Sequence, residues 1–168
     1  MAPAQTSLLA KLDTQERVRD FLTNAVAGGR ASHAYLFLGA PGAGKLDAAW
    51  ALAQAFLCEQ DGCGACDSCV RVARHTHPDV HYYTPESATG YLIAQTRELL
   101  DDVPLAPIRA KAKVYIIDRA EQLRANTANA LLKTLEEPPE HVLFILATTE
   151  LHKVPATILS RCQRFDFR

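Results

Sequence analysis

The stretch Gly39-Ala40-Pro41-Gly42-Ala43-Gly44-Lys45-Leu46 decides the fold of this chain. It matches the phosphate-loop pattern G-x-x-x-x-G-K-[ST] at every position except the last, where Leu46 replaces Ser or Thr. The glycines of such a loop let backbone N–H groups turn towards phosphate oxygens, and the lysine adds positive charge beside the outer phosphates. The hydroxyl that Leu46 lacks would have been a magnesium ligand. The stretch therefore predicts a phosphate loop and leaves open whether it still binds a nucleotide.

The sequence on either side of the loop fits this prediction. The apolar run at residues 34–38 predicts a buried strand that leads into the loop. Residues 46–57, rich in Ala and Leu, predict a helix whose N-terminus would face the bound anion. Strand, glycine loop and helix thus follow one another in the order that a phosphate-binding turn needs.

Composition limits the class of protein. The chain has 168 residues, of which 48% are hydrophobic, and this is enough for one ordinary core. Its 18 basic and 19 acidic residues give a net charge of −1, which favours neither nucleic acid nor an anionic membrane as a direct partner. No run is long and apolar enough for a membrane span, and residues 1–12 lack the pattern of a signal peptide. We expect a cytoplasmic protein with a loosely held start at residues 1–7.

The remaining apolar patterns predict an α/β domain with a five-stranded, mainly parallel sheet flanked by helices. Further strands are expected at residues 80–84, 113–118, 142–147 and 163–167. Further helices are expected at residues 8–27, 92–103, 126–137 and 155–159. The span 104–113 carries Arg109, Lys111 and Lys113, which we interpret as a solvated connection rather than a phosphate-binding patch.

Four of the five cysteines lie close together, at Cys58, Cys63, Cys66 and Cys69. The gaps of four, two and two residues contain small residues, so four thiolates can close on one ion. Sites with four cysteines bind zinc and are structural, because no coordination position stays open for chemistry. Disulfides, free thiols and an iron–sulfur cluster are the alternatives.

The expected strand at residues 113–118 ends in Asp118, where a phosphate-loop ATPase has its magnesium-orienting aspartate. Such an ATPase usually places a glutamate next, to position the attacking water. Arg119 stands there instead, and its charge has the wrong sign for a base. Leu46 and Arg119 therefore both indicate a loss of hydrolytic activity.

Several motifs in chain order resemble one known family. They are the run from His33 to Phe37, the glycine loop, the cysteine cluster, the sequence Ala128-Asn129-Ala130-Leu131-Leu132-Lys133-Thr134-Leu135-Glu136-Glu137-Pro138-Pro139 and the triplet Ser160-Arg161-Cys162. Together they resemble the first domain of bacterial DNA polymerase III sliding-clamp-loader subunits, which are AAA+ proteins with a RecA-like core. The resemblance covers residues 12–168.

The resemblance implies roles for individual residues. The four cysteines match the family's zinc module, inserted at about residues 58–80. Gly39, Pro41, Gly42, Ala43, Gly44, Lys45 and Leu46 match the nucleotide-binding loop, with Asp118 as the second acidic motif and Thr149 as the sensor. Arg161 matches the arginine finger that is supplied in trans to ATP on a neighbouring subunit. ATP or ADP with Mg²⁺ in the chain's own loop is an open question.

The resemblance also implies a function within the DNA polymerase III holoenzyme. Leu46, Arg119 and the run His77-Pro78-Asp79 favour the stator subunit, delta prime, over the motor subunit, gamma or tau. We expect residues 1–168 to be the core domain, without lid and collar domains and without polymerase or ATPase activity of its own. The implied partners are the gamma/tau and delta subunits and, through the assembly, the sliding clamp and primer-template DNA. A motor subunit that binds and hydrolyses ATP is the alternative.

Overall fold

Five short strands form one β-sheet in the computed structural model, which describes residues 7–168. The strands are β1 Ala34–Leu38, β2 Val80–Tyr83, β3 Lys113–Ile117, β4 Val142–Thr148 and β5 Gln163–Asp166. Their spatial order is β2-β3-β4-β1-β5, and all four strand pairings are parallel. The predicted α/β fold is confirmed, with a sheet that is parallel throughout. The expectation for residues 1–7 falls, except for residue 7, outside the described residues.

Helices connect the strands. They are α1 Glu16–Ala27, α2 Lys45–Leu57, α3 Asp67–Ala73, α4 Ile93–Asp102, α5 Ala125–Glu136 and α6 Ala156–Leu159. Single 3₁₀ turns occur at Leu9–Lys11, Ala120–Gln122 and Leu151–Lys153. Apart from the first helix, the predicted helices are confirmed to within one residue at each end, while α3 was not predicted. Among the described residues, no helix has the length and apolar character needed to span a membrane.

The single helix predicted at residues 8–27 is wrong. The chain forms the 3₁₀ turn Leu9–Lys11, and α1 begins only at Glu16. Gln15 causes the interruption, because its side-chain Nε2 donates to the carbonyls of Ala43, at 3.0 Å, and Arg168, at 2.8 Å. The segment before α1 is thereby held against the phosphate loop and the residue after β5.

The sheet is covered on both faces, as expected of a parallel sheet. On one face, Tyr35, Phe37 and Ile116 pack with α1 and α2. On the other face, Leu36 and Phe144 belong to a second core with α4 and α5. β3 and β4 are buried along their whole length, and residues 114–117 and 142–147 are accordingly continuous hydrophobic runs rather than alternating ones. The C-terminal ends of β1, β3 and β4 meet at one edge, where the phosphate loop lies.

The interpretation of residues 104–113 as a solvated basic connection is wrong for Lys113. Its side chain is only 2% exposed, and Nζ lies 3.3 Å from Asp102 Oδ2. The hydroxyl of Tyr115 donates to the same carboxylate oxygen, and His81 Nε2 lies 3.2 Å from it. Burial alone would raise the pKa of Asp102, but Tyr115, His81 and Lys113 together lower it. The lysine at the start of β3 is thus part of a buried polar network.

Candidate functional site

The phosphate loop, residues 39–46, connects β1 to α2. Gly39 N–H donates to the carbonyl of Thr148, at 3.2 Å, which ties the start of the loop to the end of β4. A Cβ at Gly39 would lie 2.9 Å from Cβ of Phe167, so a side chain does not fit there. Gly44 caps α2 with φ of +100°, a conformation that favours glycine. Two of the loop's glycines are therefore required by its geometry.

Lys45 lies at the centre of the loop. Its side chain is largely buried, and Nζ donates to the carbonyls of Gly39 and Ala40. Burial lowers the pKa of Lys45, and the negative charges of Asp118 and Glu121 oppose this effect. The lysine thus lies between the loop carbonyls and the acidic side of the cavity.

A cavity of about 320 Å³ opens in front of the loop. The residues that line it are Pro41, Gly42, Gly44, Lys45, Leu46, Asp47, Asp118, Arg119, Glu121, Thr148 and Thr149. Of the residues predicted for nucleotide binding, only Gly39 and Ala43 lie outside this lining. Gly39 lies against Phe167, and Ala43 packs against the core beneath the loop. The fold therefore brings the predicted loop, Asp118 and Thr149 to one cavity.

Asp118, directly after β3, has both carboxylate oxygens in contact with the chain itself. Oδ1 accepts the backbone N–H of Arg119, at 2.9 Å, and Oδ2 accepts the hydroxyl of Tyr82, at 3.2 Å. Arg119 is left-handed, with φ of +50°, and its exposed side chain lines the cavity. Leu46 packs partly against the core at the position where a magnesium-binding hydroxyl would be. The cavity can offer backbone N–H groups and Lys45 to phosphates, but it has no hydroxyl at position 46.

Sequence reasoning missed three residues of this cavity, Asp47, Glu121 and Thr148. Glu121 lies in the 3₁₀ turn after β3, and its Oε2 accepts the hydroxyl of Thr148, at 2.9 Å. Glu121 comes three residues after Asp118 instead of one, so the sequence pattern of an ATPase does not identify it. Thr148 could have been considered together with Thr149, since both follow the apolar run of β4.

The four clustered cysteines converge on one point between α2 and β2. Their Sγ atoms all lie within 4.8 Å of one another. The Sγ atoms of Cys58 and Cys66 are 3.8 Å apart, and those of Cys63 and Cys69 are 4.0 Å apart. Four sulfurs on one tetrahedral ion, with metal–sulfur bonds of about 2.3 Å, lie about 3.8 Å apart. All four cysteines are free of disulfides, so the residues fit a single tetrahedral metal ion such as zinc.

Backbone N–H groups donate to the sulfurs of Cys58, Cys63 and Cys66, whereas burial raises the pKa of the Cys66 and Cys69 thiols. The N–H groups of Gln60 and Cys63 donate to Cys58 Sγ, at 3.3 and 3.4 Å. Burial alone would raise the pKa of Cys58, but these donors and Gly62 lower it to about 6. Cys66 caps α3, where its Sγ accepts the N–H of Cys69. Such N–H donors orient a sulfur ligand and stabilise its thiolate form when it binds a metal.

Arg161 lies outside the phosphate-loop cavity, in the turn between α6 and β5. Its Nη2 lies 3.3 Å from Glu136 Oε1, and its side chain is 49% exposed. The next residue, Cys162, packs against the core, and burial raises its pKa to about 12. The structure therefore presents the arginine on the surface, away from the chain's own loop.

Known proteins with similar sequences come from one assembly. The family described as "DNA polymerase III, delta subunit" matches residues 14–168. DNA polymerase III subunit tau of Bacillus subtilis is 46% identical over 158 residues, covering 92% of this chain and 28% of that protein. Subunit delta' of the same organism is 40% identical over 159 residues, covering 93% of this chain and 48% of that protein. The chain thus spans less than half the length of these relatives.

Solved structures agree on the fold. A gamma subunit-related protein of DNA polymerase III from Thermotoga maritima is similar with a TM-score of 0.60 and 22% identity, over 89% of this chain and 45% of that one. RuvB, the Holliday junction branch migration motor of the same organism, is similar with a TM-score of 0.57 and 19% sequence identity, over 91% of this chain and 45% of that one. With the phosphate-loop cavity and the cysteine cluster, these likenesses show that the chain belongs to the family of DNA polymerase III clamp-loader subunits and has its AAA+ fold.

Proposed function

We propose that this chain is the core domain of a non-hydrolysing stator subunit of the clamp loader, of the delta prime type. The observation that carries the proposal is the separation of two features. The cavity around Lys45 has Leu46 and Arg119 where an ATPase needs a hydroxyl and a carboxylate, whereas Arg161 is exposed outside that cavity. A chain of this kind would serve a neighbour's ATP rather than its own.

The electrostatics of the two sites support this division of work. Arg119 adds positive charge but cannot accept a proton from water. Asp118 is already bonded through both oxygens, one of them to Tyr82. An exposed guanidinium such as Arg161 can neutralise charge on a phosphoryl group during transfer, an effect worth about 10³–10⁵ in rate where it is measured. The chain's own cavity would then either bind a nucleotide without hydrolysing it or bind no nucleotide.

The proposed setting is the bacterial cytoplasm during DNA replication. The partners would be the gamma/tau and delta subunits, with the sliding clamp and primer-template DNA reached through the assembly. Zinc on the four cysteines would be structural, because four thiolates leave no open coordination position. No polymerase activity is assigned to the chain.

The test is a reconstituted loader that contains the full-length protein. We expect Arg161→Ala to slow DNA-stimulated ATP hydrolysis at least 10-fold while the assembly, followed by size exclusion, stays intact. Arg164→Ala is a matched control, since Arg164 is also exposed but pairs with Asp166, in β5. Hydrolysis that is unchanged by Arg161→Ala would refute the trans role.

A motor subunit is the second candidate, and one observation favours it. Glu121 supplies a carboxylate to the phosphate-loop cavity and is bonded to Thr148 at the end of β4. In a motor subunit, such a carboxylate would position the attacking water. In the reconstituted loader, loss of ATP hydrolysis in Glu121→Gln would favour this candidate, whereas hydrolysis that Glu121→Gln leaves unchanged would favour the stator.

A further inference from the structure

The one ion pair of Arg161 within residues 7–168 joins two separate elements. Glu136 is the last residue of α5, and Arg161 follows α6. Nη2 of the arginine lies 3.3 Å from Oε1 of the glutamate. The two side chains are 49% and 44% exposed, so the contact lies on the surface.

The backbone that carries Arg161 is fixed. Its N–H donates to the carbonyl of Ile158, at 3.0 Å, and Ser160 Oγ donates to the carbonyl of Thr157, at 2.9 Å. Cys162 packs into the second core, next to the buried Ile158. The position of the arginine Cα is therefore determined by the fold. The direction of its long side chain is not determined in this way, because among the described residues its guanidinium is hydrogen-bonded only to Glu136.

The backbone that carries Glu136 is fixed as well. Its neighbour Leu135 is 1% exposed, and Leu131 is fully buried one turn earlier. A carboxylate in the last turn of a helix faces the negative end of the helix dipole, which is unfavourable in the absence of a cation. Glu136 and Glu137 both lie there, and Arg161 supplies the cation for the first.

We propose that Glu136 is a positioning residue for Arg161. This inference rests on the trans role of Arg161 proposed above. The carboxylate restricts the rotamers of the arginine and uses only Nη2. Guanidinium has five N–H donors in a planar fork, so the Nη1 and Nε edges stay available to phosphoryl oxygens of a neighbouring subunit. Glu136 thus holds the finger in a direction that permits engagement and need not be displaced when the finger acts.

The expected effect is modest because the pair is exposed. Exposed ion pairs contribute little, and the loss of one corresponds to about a two- to fivefold change in an equilibrium or rate. If Glu136 acts by orienting a group that works in the transition state, its loss lowers kcat and leaves the KM for ATP unchanged. A purely structural pair would change thermal stability and leave kcat unchanged.

The experiment uses the reconstituted loader with the full-length protein and measures DNA-stimulated ATP hydrolysis. We expect Glu136→Ala to lower kcat about two- to fivefold at constant KM. Glu136→Asp keeps a carboxylate and should lower kcat by a smaller factor. Glu137→Ala is the matched control, because Glu137 is also exposed in the same turn and has no ion pair within residues 7–168. Thermal unfolding of each variant checks that it folds.

A double variant tests whether Glu136 affects hydrolysis through Arg161. In an Arg161→Ala loader, Glu136→Ala should have no further effect, because a positioning residue has nothing left to position. An equal loss in both backgrounds, or a kcat that Glu136→Ala leaves unchanged or raises, would overturn the inference. If Arg161→Ala itself has no effect, the proposed function fails. If Arg161→Ala is strongly impaired and Glu136→Ala is not, only the role of Glu136 fails.

Discussion

Asp79 is a buried carboxylate whose replacement by asparagine should destabilise the fold. Its side chain is fully buried, Oδ1 accepts the N–H of Ile108 at 2.6 Å, and Oδ2 accepts those of Arg109 and Ala110 at 2.7 Å each. The carboxylate thus clamps the loop after α4 onto the end of the cysteine module. Burial alone would raise the pKa of Asp79, but these three donors lower it.

The size of the effect follows from these contacts. Asparagine has one oxygen, so in Asp79→Asn the amide group would face either the Ile108 N–H or the other two donors. At least one hydrogen bond to a charged group is lost, worth about 1.5–3 kcal/mol, and the remaining bonds become weaker. We expect a decrease of about 2–4 kcal/mol in the free energy of unfolding at pH 7.

The assay is denaturant unfolding, with metal-loaded protein at a fixed concentration of free metal at pH 7 and with metal-free protein for the pH series, because thiolate sites release their metal in acid. Asp101→Asn is the control, since Asp101 is exposed and has no ion pair among the described residues. Because the folded pKa of Asp79 is below its unfolded value of about 3.9, its stabilisation is fully present above that pH. It is lost as the pH falls through the lowered folded pKa, so the difference between wild type and Asp79→Asn should shrink below about pH 4. A difference under 1 kcal/mol at pH 7, or one that does not depend on pH, would refute the reasoning.

Two further predictions concern the cysteine cluster and the ion pair of Asp102 with the buried Lys113. Protein purified without chelators should contain one zinc ion per chain by elemental analysis. Cys69→Ser should lose the metal and be less stable, because the cysteines would hold the insertion at about residues 58–80 together. A metal-free wild type of equal stability would contradict this. Asp102→Asn should cost about 2–3 kcal/mol in urea unfolding, since it leaves Lys113 buried at 2% exposure without its counter-ion. The matched control is Glu98→Gln, at an exposed position of the same helix, and equal midpoints for the two variants would show that the buried pair contributes nothing.

The cysteine cluster and the phosphate loop could be predicted because both are local in sequence. Cys58 and Cys69 are eleven positions apart, so a short loop and one helical turn bring all four sulfurs together. The loop from Gly39 to Lys45 is likewise a strand end followed by a helix start, and its glycines reveal the turn. Residues 114–117 of β3 and 142–147 of β4 are continuous hydrophobic runs, which is typical of strands that are buried on both faces.

The remaining features depend on contacts between residues far apart in the chain. Gln15 interrupts the first helix through carbonyls 28 and 153 residues away, and no local pattern reports such partners. Lys113 has a basic, flexible side chain that alone suggests solvent, but the fold places Asp102 beside it and excludes water. Periodicity describes which face of an element is apolar, but it does not identify the polar partner on another element.

The order of the five strands along the chain, the phosphate loop and the four candidate metal ligands follow from the sequence alone, because apolar period, glycine placement and cysteine spacing act over a few residues. How these parts meet depends on the tertiary structure. It brought Glu121 to Thr148 across 27 residues and Arg161 to Glu136 across 25. The physical reason is that a side-chain hydrogen bond depends on where two backbones lie in space, and packing of the two cores against the sheet sets those positions.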